Sequence, residues 1–171
     1  MVNIIVGENA SGKTRMLLEI YNKSEKKNTI CNLDEDRGTT KISVDIERLK
    51  LISESIDFTI DHITVVHNTI IAVGTPEHRY SSKFCEILNL LSKDVDTIII
   101  DDIEQDLNLY EQVLIYKILK FFAYRQSNID IWITTHSSTI CECEKFIFYQ
   151  TISGCKDLKN VTQKVATELV E

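Results

Sequence analysis

Gly7-Glu8-Asn9-Ala10-Ser11-Gly12-Lys13-Thr14 has the spacing G-x-x-x-x-G-K-T, which can hold a chain of phosphates. Two glycines let the backbone curl tightly enough to aim a row of N–H groups at β- and γ-phosphates. Lys13 adds a point charge for the same phosphates, and the Thr14 hydroxyl takes a place on Mg²⁺. Arg15 follows directly, so the nucleotide-binding candidates run from Gly7 to Arg15. The flanks suit the loop. Val2-Asn3-Ile4-Ile5-Val6 reads as a short buried strand leading in, and Arg15 to Tyr21 reads as a helix whose N-terminus faces the phosphates.

Two further segments carry groups of complementary chemistry. Asp101-Asp102 follows the apolar run Thr97 to Ile100. A carboxylate at the C-terminal tip of a buried strand is where a P-loop protein holds Mg²⁺, and Asp101 suits that role with Thr14. Ile131-Trp132-Ile133-Thr134-Thr135 then delivers His136-Ser137-Ser138 to the same expected sheet edge. A histidine placed there suits a hydrogen bond to a terminal phosphate.

The elements that must bring these groups together alternate strand and helix, which predicts a mostly parallel sheet flanked by helices. After the first helix, the pattern predicts strands over Asn28–Leu33 and Lys41–Val44, separated by the acidic turn Asp34 to Gly38, and a helix over Asp45–Ile56. Phe58–Val73 is rich in Ile, Val and Thr and reads as a hairpin broken by Gly74-Thr75-Pro76. Helical spacing runs from Ser81 through Leu91. The pattern then gives strands over Asp96–Ile100 and Ile129–Thr135, a helix over Leu109–Tyr124, a strand over Lys145–Gln150 and a closing helix over Leu158–Val170. On the long helix, Glu111, Gln112, Lys117 and Lys120 read as a solvated face.

The 171 residues fit one α/β domain spanning 1–171. No apolar run approaches the length of a membrane span and no signal peptide precedes the first strand, so a cytoplasmic protein is expected. A net charge of −7 speaks against a general nucleic-acid-coating role. Lys23, Lys26 and Lys27 form a charged turn, open to nucleic acid but simplest as a solvated surface. Five cysteines with irregular spacing fit reduced thiols. Cys141-Glu142-Cys143, five residues beyond His136, raises a zinc site, but it lacks the second pair such sites use, which favours buried free thiols.

Gly7 to Thr14, Ile100-Asp101-Asp102-Ile103-Glu104-Gln105-Asp106-Leu107-Asn108 and Ile133-Thr134-Thr135-His136-Ser137 together resemble the ABC-class P-loop ATPases. The nearest look is the soluble SMC-like and OLD-family (AAA-type) ATP-binding domains, whose second motif reads I-D-E-P-E-x-x-L-H and whose third reads T-T-H-S. The resemblance implies a Walker A at Gly7–Thr14, a Walker B aspartate at Asp101 and a catalytic acid at Asp102, with Lys13 on the phosphates. It also implies a D-loop near Leu107-Asn108 and a switch histidine at His136. Its cofactors would be ATP and Mg²⁺. Its partner would be a second head domain or a heteromeric protein covering the nucleotide with a Ser-Gly signature, for which Tyr80-Ser81-Ser82-Lys83 is the best match. Ser81 or Ser82 would serve there either as a plain helix cap or as a signature acting across an interface.

The sequence departs from the family at Asp102, one methylene shorter than the usual glutamate, and at Lys83, near the signature glycine. No glutamine stands between Thr14 and Ser81, and the upstream antiparallel strands and the inserted coiled coil are absent. These departures describe a minimal, partly degenerate head. They leave two alternatives to a slow ATPase: an ATP-gated scaffold that does not hydrolyse, and, ranked below it for want of an arginine-rich lid, a P-loop small-molecule kinase.

Overall fold

Six strands form one sheet in the spatial order β2-β5-β6-β1-β7-β8, in a computed structural model that describes residues 1–24, 28–33, 42–56, 62–74, 79–125, 128–151, 159–164 and 168. The strands are β1 (Val2–Val6), β2 (Thr29–Cys31), β5 (Thr97–Ile100), β6 (Asp130–Thr134), β7 (Ile147–Gln150) and β8 (Lys159–Val161), and β3 and β4 make the separate hairpin described below. All neighbours are parallel except β7 and β8. The helices are α1 (Lys13–Lys23), α2 (Ile46–Ser55), α3 (Ser82–Leu91) and α4 (Leu109–Tyr124). This is the α/β architecture expected from the alternation of period-2 and period-3.6 segments.

Ile98, Ile99, Ile100, Ile131, Ile133, Ile4 and Ile5 are fully buried in the central strands. Burial of a side chain this size is worth about 1.5–3 kcal/mol each. Ile4, Ile98, Ile100, Ile131 and Ile133 join the large core under α2, α3 and α4. Ile5 and Ile99 point to the other face, against Met16, Leu17 and Tyr21 of α1. Adjacent strand residues thus feed opposite layers, which is why these strands read as continuous apolar runs.

β3 (Ile63–Val66) and β4 (Thr69–Val73) pair antiparallel as a hairpin outside the main sheet. His67 and Asn68, both with positive φ (47° and 61°), form its two-residue turn. Residues 58–61, at the start of the predicted hairpin, and Thr75-Pro76 lie outside the described residues, as does the acidic turn Asp34 to Gly38.

Four readings need correction. The predicted strand at 28–33 shortens to three residues, and Val44 of the predicted strand 41–44 makes only an isolated bridge to Lys93. The predicted closing helix Leu158–Val170 starts too early: Lys159–Val161 form β8, which covers the edge of β7, while Gln163, Lys164 and Glu168 are helical. Glu111 is not on a solvated face: it is 1% exposed. It completes the Asn108 capping box of α4, and its other oxygen accepts the Ser81 N–H at 2.7 Å. Lys117 and Lys120 of the same helix are exposed as read.

Candidate functional site

β1, β5 and β6 lie side by side with their C-terminal ends at one edge of the sheet. β6 sits between the other two, so its C-terminal end stands between those of β1 and β5.

The loop from Gly7 to Gly12 takes its curl from three left-handed residues, Gly7 (φ 155°), Ala10 (φ 59°) and Gly12 (φ 95°). Side chains are excluded at Gly7 by contact as well. A Cβ there would stand 2.3 Å from Thr151 Oγ1 and 2.7 Å from Ser11 Oγ. Those two hydroxyls hydrogen-bond each other at 2.5 Å, tying the loop to the end of β7. At Gly12 an added Cβ would meet nothing within 4 Å, so its left-handed backbone alone asks for glycine. Gly12 is also the N-cap of α1, and the N–H groups of that helix end open onto the loop.

Ala10 to Arg15 and Leu18 line an open groove of about 420 Å³ beside this helix start, while Glu8 and Asn9 are exposed on the loop. The Arg15 guanidinium pairs with Glu19 at 3.3 Å on the exposed side. Lys13 is 7% exposed and folds its ammonium back to donate to the carbonyls of Gly7 (3.0 Å) and Glu8 (3.1 Å). Burial lowers its pKa, opposed by the negative charges of Asp102, Asp101 and Glu104. The three carboxylates therefore lie close enough to act on Lys13.

Asp101 is buried at the tip of β5 and held on all sides. Its Oδ2 accepts from the Thr14 hydroxyl at 2.7 Å, and its Oδ1 accepts from the Thr134 hydroxyl. The Asn32 amide clamps its backbone, accepting the Asp101 N–H at 2.9 Å and donating to its carbonyl at 3.1 Å. Asp102 has φ 45°, a left-handed conformation that Asp tolerates better than most residues, and its N–H donates to Thr134 Oγ1 at 2.8 Å. The His136 N–H donates to Glu104 Oε1 at 2.5 Å.

Thr14, Asp101, Lys13, Asp102 and His136, chosen on sequence grounds, are thus gathered at one edge. Asn32, Thr134, Thr151 and Glu104 were not chosen. Glu104 had a local signal, as the last acid of the Asp-Asp-x-Glu run. The other three owe their roles to strand pairing. Ser81 caps α3, accepting the Phe84 N–H at 3.1 Å, and Ser82 is exposed in its first turn.

The donor set fits a hydrated Mg²⁺. Thr14 and Asp101 present two hard oxygens in contact, and the loop beside them has left-handed backbone suited to phosphate oxygens. Cys141 and Cys143 are buried free thiols, and burial pushes the Cys141 thiol up to about 12. Cys155 lies outside the described residues.

No family model matches the chain, and no curated protein matches it in sequence. Solved structures match its fold. One is described as a cobalt transport ATP-binding protein (cbiO-2), with a TM-score of 0.56 and 12% identity over 95% of this chain and 69% of that one. At that identity the likeness shows the fold: an α/β P-loop NTPase with a mostly parallel central sheet. Among the described residues, no helix is long and apolar enough to cross a membrane.

Proposed function

We propose that this chain is an ABC-type ATPase. It binds ATP with Mg²⁺ in the groove beside α1, hydrolyses it slowly and passes a conformational signal to a dimer mate or partner protein. The observation that carries the reading is the 2.7 Å contact between the Thr14 hydroxyl and Asp101 Oδ2, which joins the glycine loop to the acidic strand tip. Lys13 and the amides of residues 8–14 hold the β- and γ-phosphates. Thr14 and Asp101 hold Mg²⁺ directly or through water, and the ion would supply charge neutralisation on those phosphates. Asp102 orients a water and takes its proton as the water oxygen bonds to the γ-phosphorus. The bond from that phosphorus to the bridging oxygen breaks, and ADP keeps that oxygen. His136 donates to the terminal phosphate. Most of the rate comes from positioning and charge stabilisation rather than covalent chemistry.

A second reading, an ATP-gated module without turnover, is favoured by the short side chain at 102. Asp102 leaves β5 in a left-handed conformation, with its N–H tied to the Thr134 hydroxyl at 2.8 Å. One experiment separates the two: ATP turnover across a protein concentration series, with Lys13→Ala and Asp102→Asn alongside. Turnover that rises steeply with concentration and is lost in both variants supports a dimerising ATPase using Asp102. Binding lost in Lys13→Ala, with no turnover at any concentration, selects the gated module. Absence of ATP binding in the folded protein sinks both.

A further inference from the structure

Besides the Thr134 hydroxyl, which reaches the Asp101 and Asp102 carboxylates, three hydrogen bonds fasten the turn after β5 to the end of β6. The Asp102 N–H donates to the Thr134 hydroxyl at 2.8 Å, the Ile103 N–H donates to the Thr134 carbonyl at 3.1 Å, and the His136 N–H donates to Glu104 Oε1 at 2.5 Å. The first two use the backbone of the turn. Of these three, the third alone depends on a side chain of the turn, and it is short and charge-assisted. The following residue is fixed by other groups: the Ser137 N–H donates to Thr135 Oγ1 at 3.0 Å, and its hydroxyl donates to Gln112 Oε1 at 2.7 Å. Glu104 Oε2 is buried with no hydrogen-bond partner among the described residues. A carboxylate kept half-desolvated to make one backbone contact is poorly explained by fold stability alone.

We propose that Glu104 is a positioning residue for His136, holding the histidine backbone so that its ring meets the terminal phosphate of a bound nucleoside triphosphate. This rests on the reading of the groove as an ATP site and deepens it. Glu104 acts through the His136 backbone and not on the nucleotide itself. It fixes the distance between the acidic turn and the histidine, so the site distinguishes three phosphates from two.

The test measures affinity for ADP and for the non-hydrolysable β,γ-imido analogue of ATP, by calorimetry with Mg²⁺. The proteins are wild type, Glu104→Ala, Glu104→Gln, His136→Ala and the Glu104→Ala/His136→Ala double variant. ADP affinity stays constant throughout. The preference for the triphosphate falls about tenfold in each single alanine variant, and no further in the double. Glu104→Gln keeps an amide oxygen to accept the His136 N–H and retains most of the preference. Preference intact in Glu104→Ala but lost in His136→Ala overturns the role of Glu104 and leaves the ATP site standing. Additive losses in the double variant, or Gln as damaging as Ala, overturn it by assigning the carboxylate a direct contact. A folded wild type that binds neither nucleotide, or binds both equally, defeats the phosphate-reading site itself. Where Glu104→Ala does not fold, the His136 amide proton decides by NMR. It moves upfield in Glu104→Gln if the short bond is real, and an unchanged position overturns the proposal.

Discussion

Thr14 and Asp101, 87 residues apart in the chain, meet hydroxyl to carboxylate at 2.7 Å. The other oxygen of Asp101 takes the Thr134 hydroxyl, so a single carboxylate ties α1, β5 and β6 together. Two threonine donors and a clamped backbone hold that carboxylate before any ligand arrives.

Thr14→Val keeps the shape of the side chain and removes the donor. The expected cost to the fold is about 1 kcal/mol, since Asp101 keeps its bond to Thr134. The larger effect falls on the metal. ATP affinity measured with Mg²⁺ should drop about tenfold or more, while affinity measured in EDTA stays near wild type. Equal losses in both conditions would mean that Thr14 serves the loop's shape and not the ion.

Sequence alone reached the curled glycine loop and the strand tips because each is a local signal: a glycine spacing, or an acid closing a run of branched apolar residues. Glu111 was misread because helical position predicts a face, not what lies beyond it. Tertiary packing brings the Ser81 N–H, 30 residues away, onto its carboxylate. Asn32 was invisible for the same reason. Its amide matters only once β2 pairs with β5 and places it beside Asp101. Lys159-Asn160-Val161 failed differently. The segment has little intrinsic strand signal, and pairing with the otherwise open edge of β7 decides its conformation.

Glu111 bridges two helix starts, with one oxygen on the Asn108 N–H at 3.1 Å and the other on the Ser81 N–H at 2.7 Å. Both N–H groups lie at helix N-termini, where the helix dipoles add to the attraction for a negative charge. Glu111→Ala leaves two donors without their acceptor and should lower unfolding stability by about 2–4 kcal/mol in urea titrations. Glu111→Gln, which keeps one acceptor oxygen and loses the charge, should fall between. A solvated residue would shift stability by no more than about 0.5 kcal/mol.

Lys93 gives the fold a pH signature. It is fully buried, donating to the carbonyls of Ile42 at 2.8 Å and of Asn68 in the hairpin turn, and burial lowers its pKa to about 8. An unfolded lysine titrates near 10.4, so between those values the unfolded chain binds the extra proton. Stability from this group therefore rises with pH from about 8 to 10.5, and the penalty is fully present below that window. The buried thiol of Cys141, with its raised pKa, acts in the opposite direction above pH 9. The informative quantity is thus the difference between wild type and Lys93→Met across the window. That difference should move in favour of wild type by at most about 3 kcal/mol. A flat difference would mean that Lys93 keeps its ordinary pKa.

Gly7 and Gly12 are interchangeable in the motif but not in the structure, and alanine at each should separate their roles. At Gly7 the new methyl would press on Thr151 Oγ1 at 2.3 Å, on Ser11 Oγ at 2.7 Å and on the Thr151 carbonyl at 3.0 Å. The last is backbone and cannot swing away, so the loop must pull off the end of β7. Gly7→Ala should cost about 2–4 kcal/mol, and Thr151→Ala should rescue only part of it. At Gly12 the methyl points into free space, leaving only the penalty of a left-handed alanine, about 1 kcal/mol. In the proposed ATP site, this free space beside the helix start is where phosphate oxygens would approach the amides. Gly12→Ala should therefore keep most of its thermal stability yet lose nucleotide affinity as severely as Gly7→Ala. Thermal melts paired with fluorescent-nucleotide titrations check both halves, and wild-type affinity in Gly12→Ala would remove the groove beside α1 as the phosphate site.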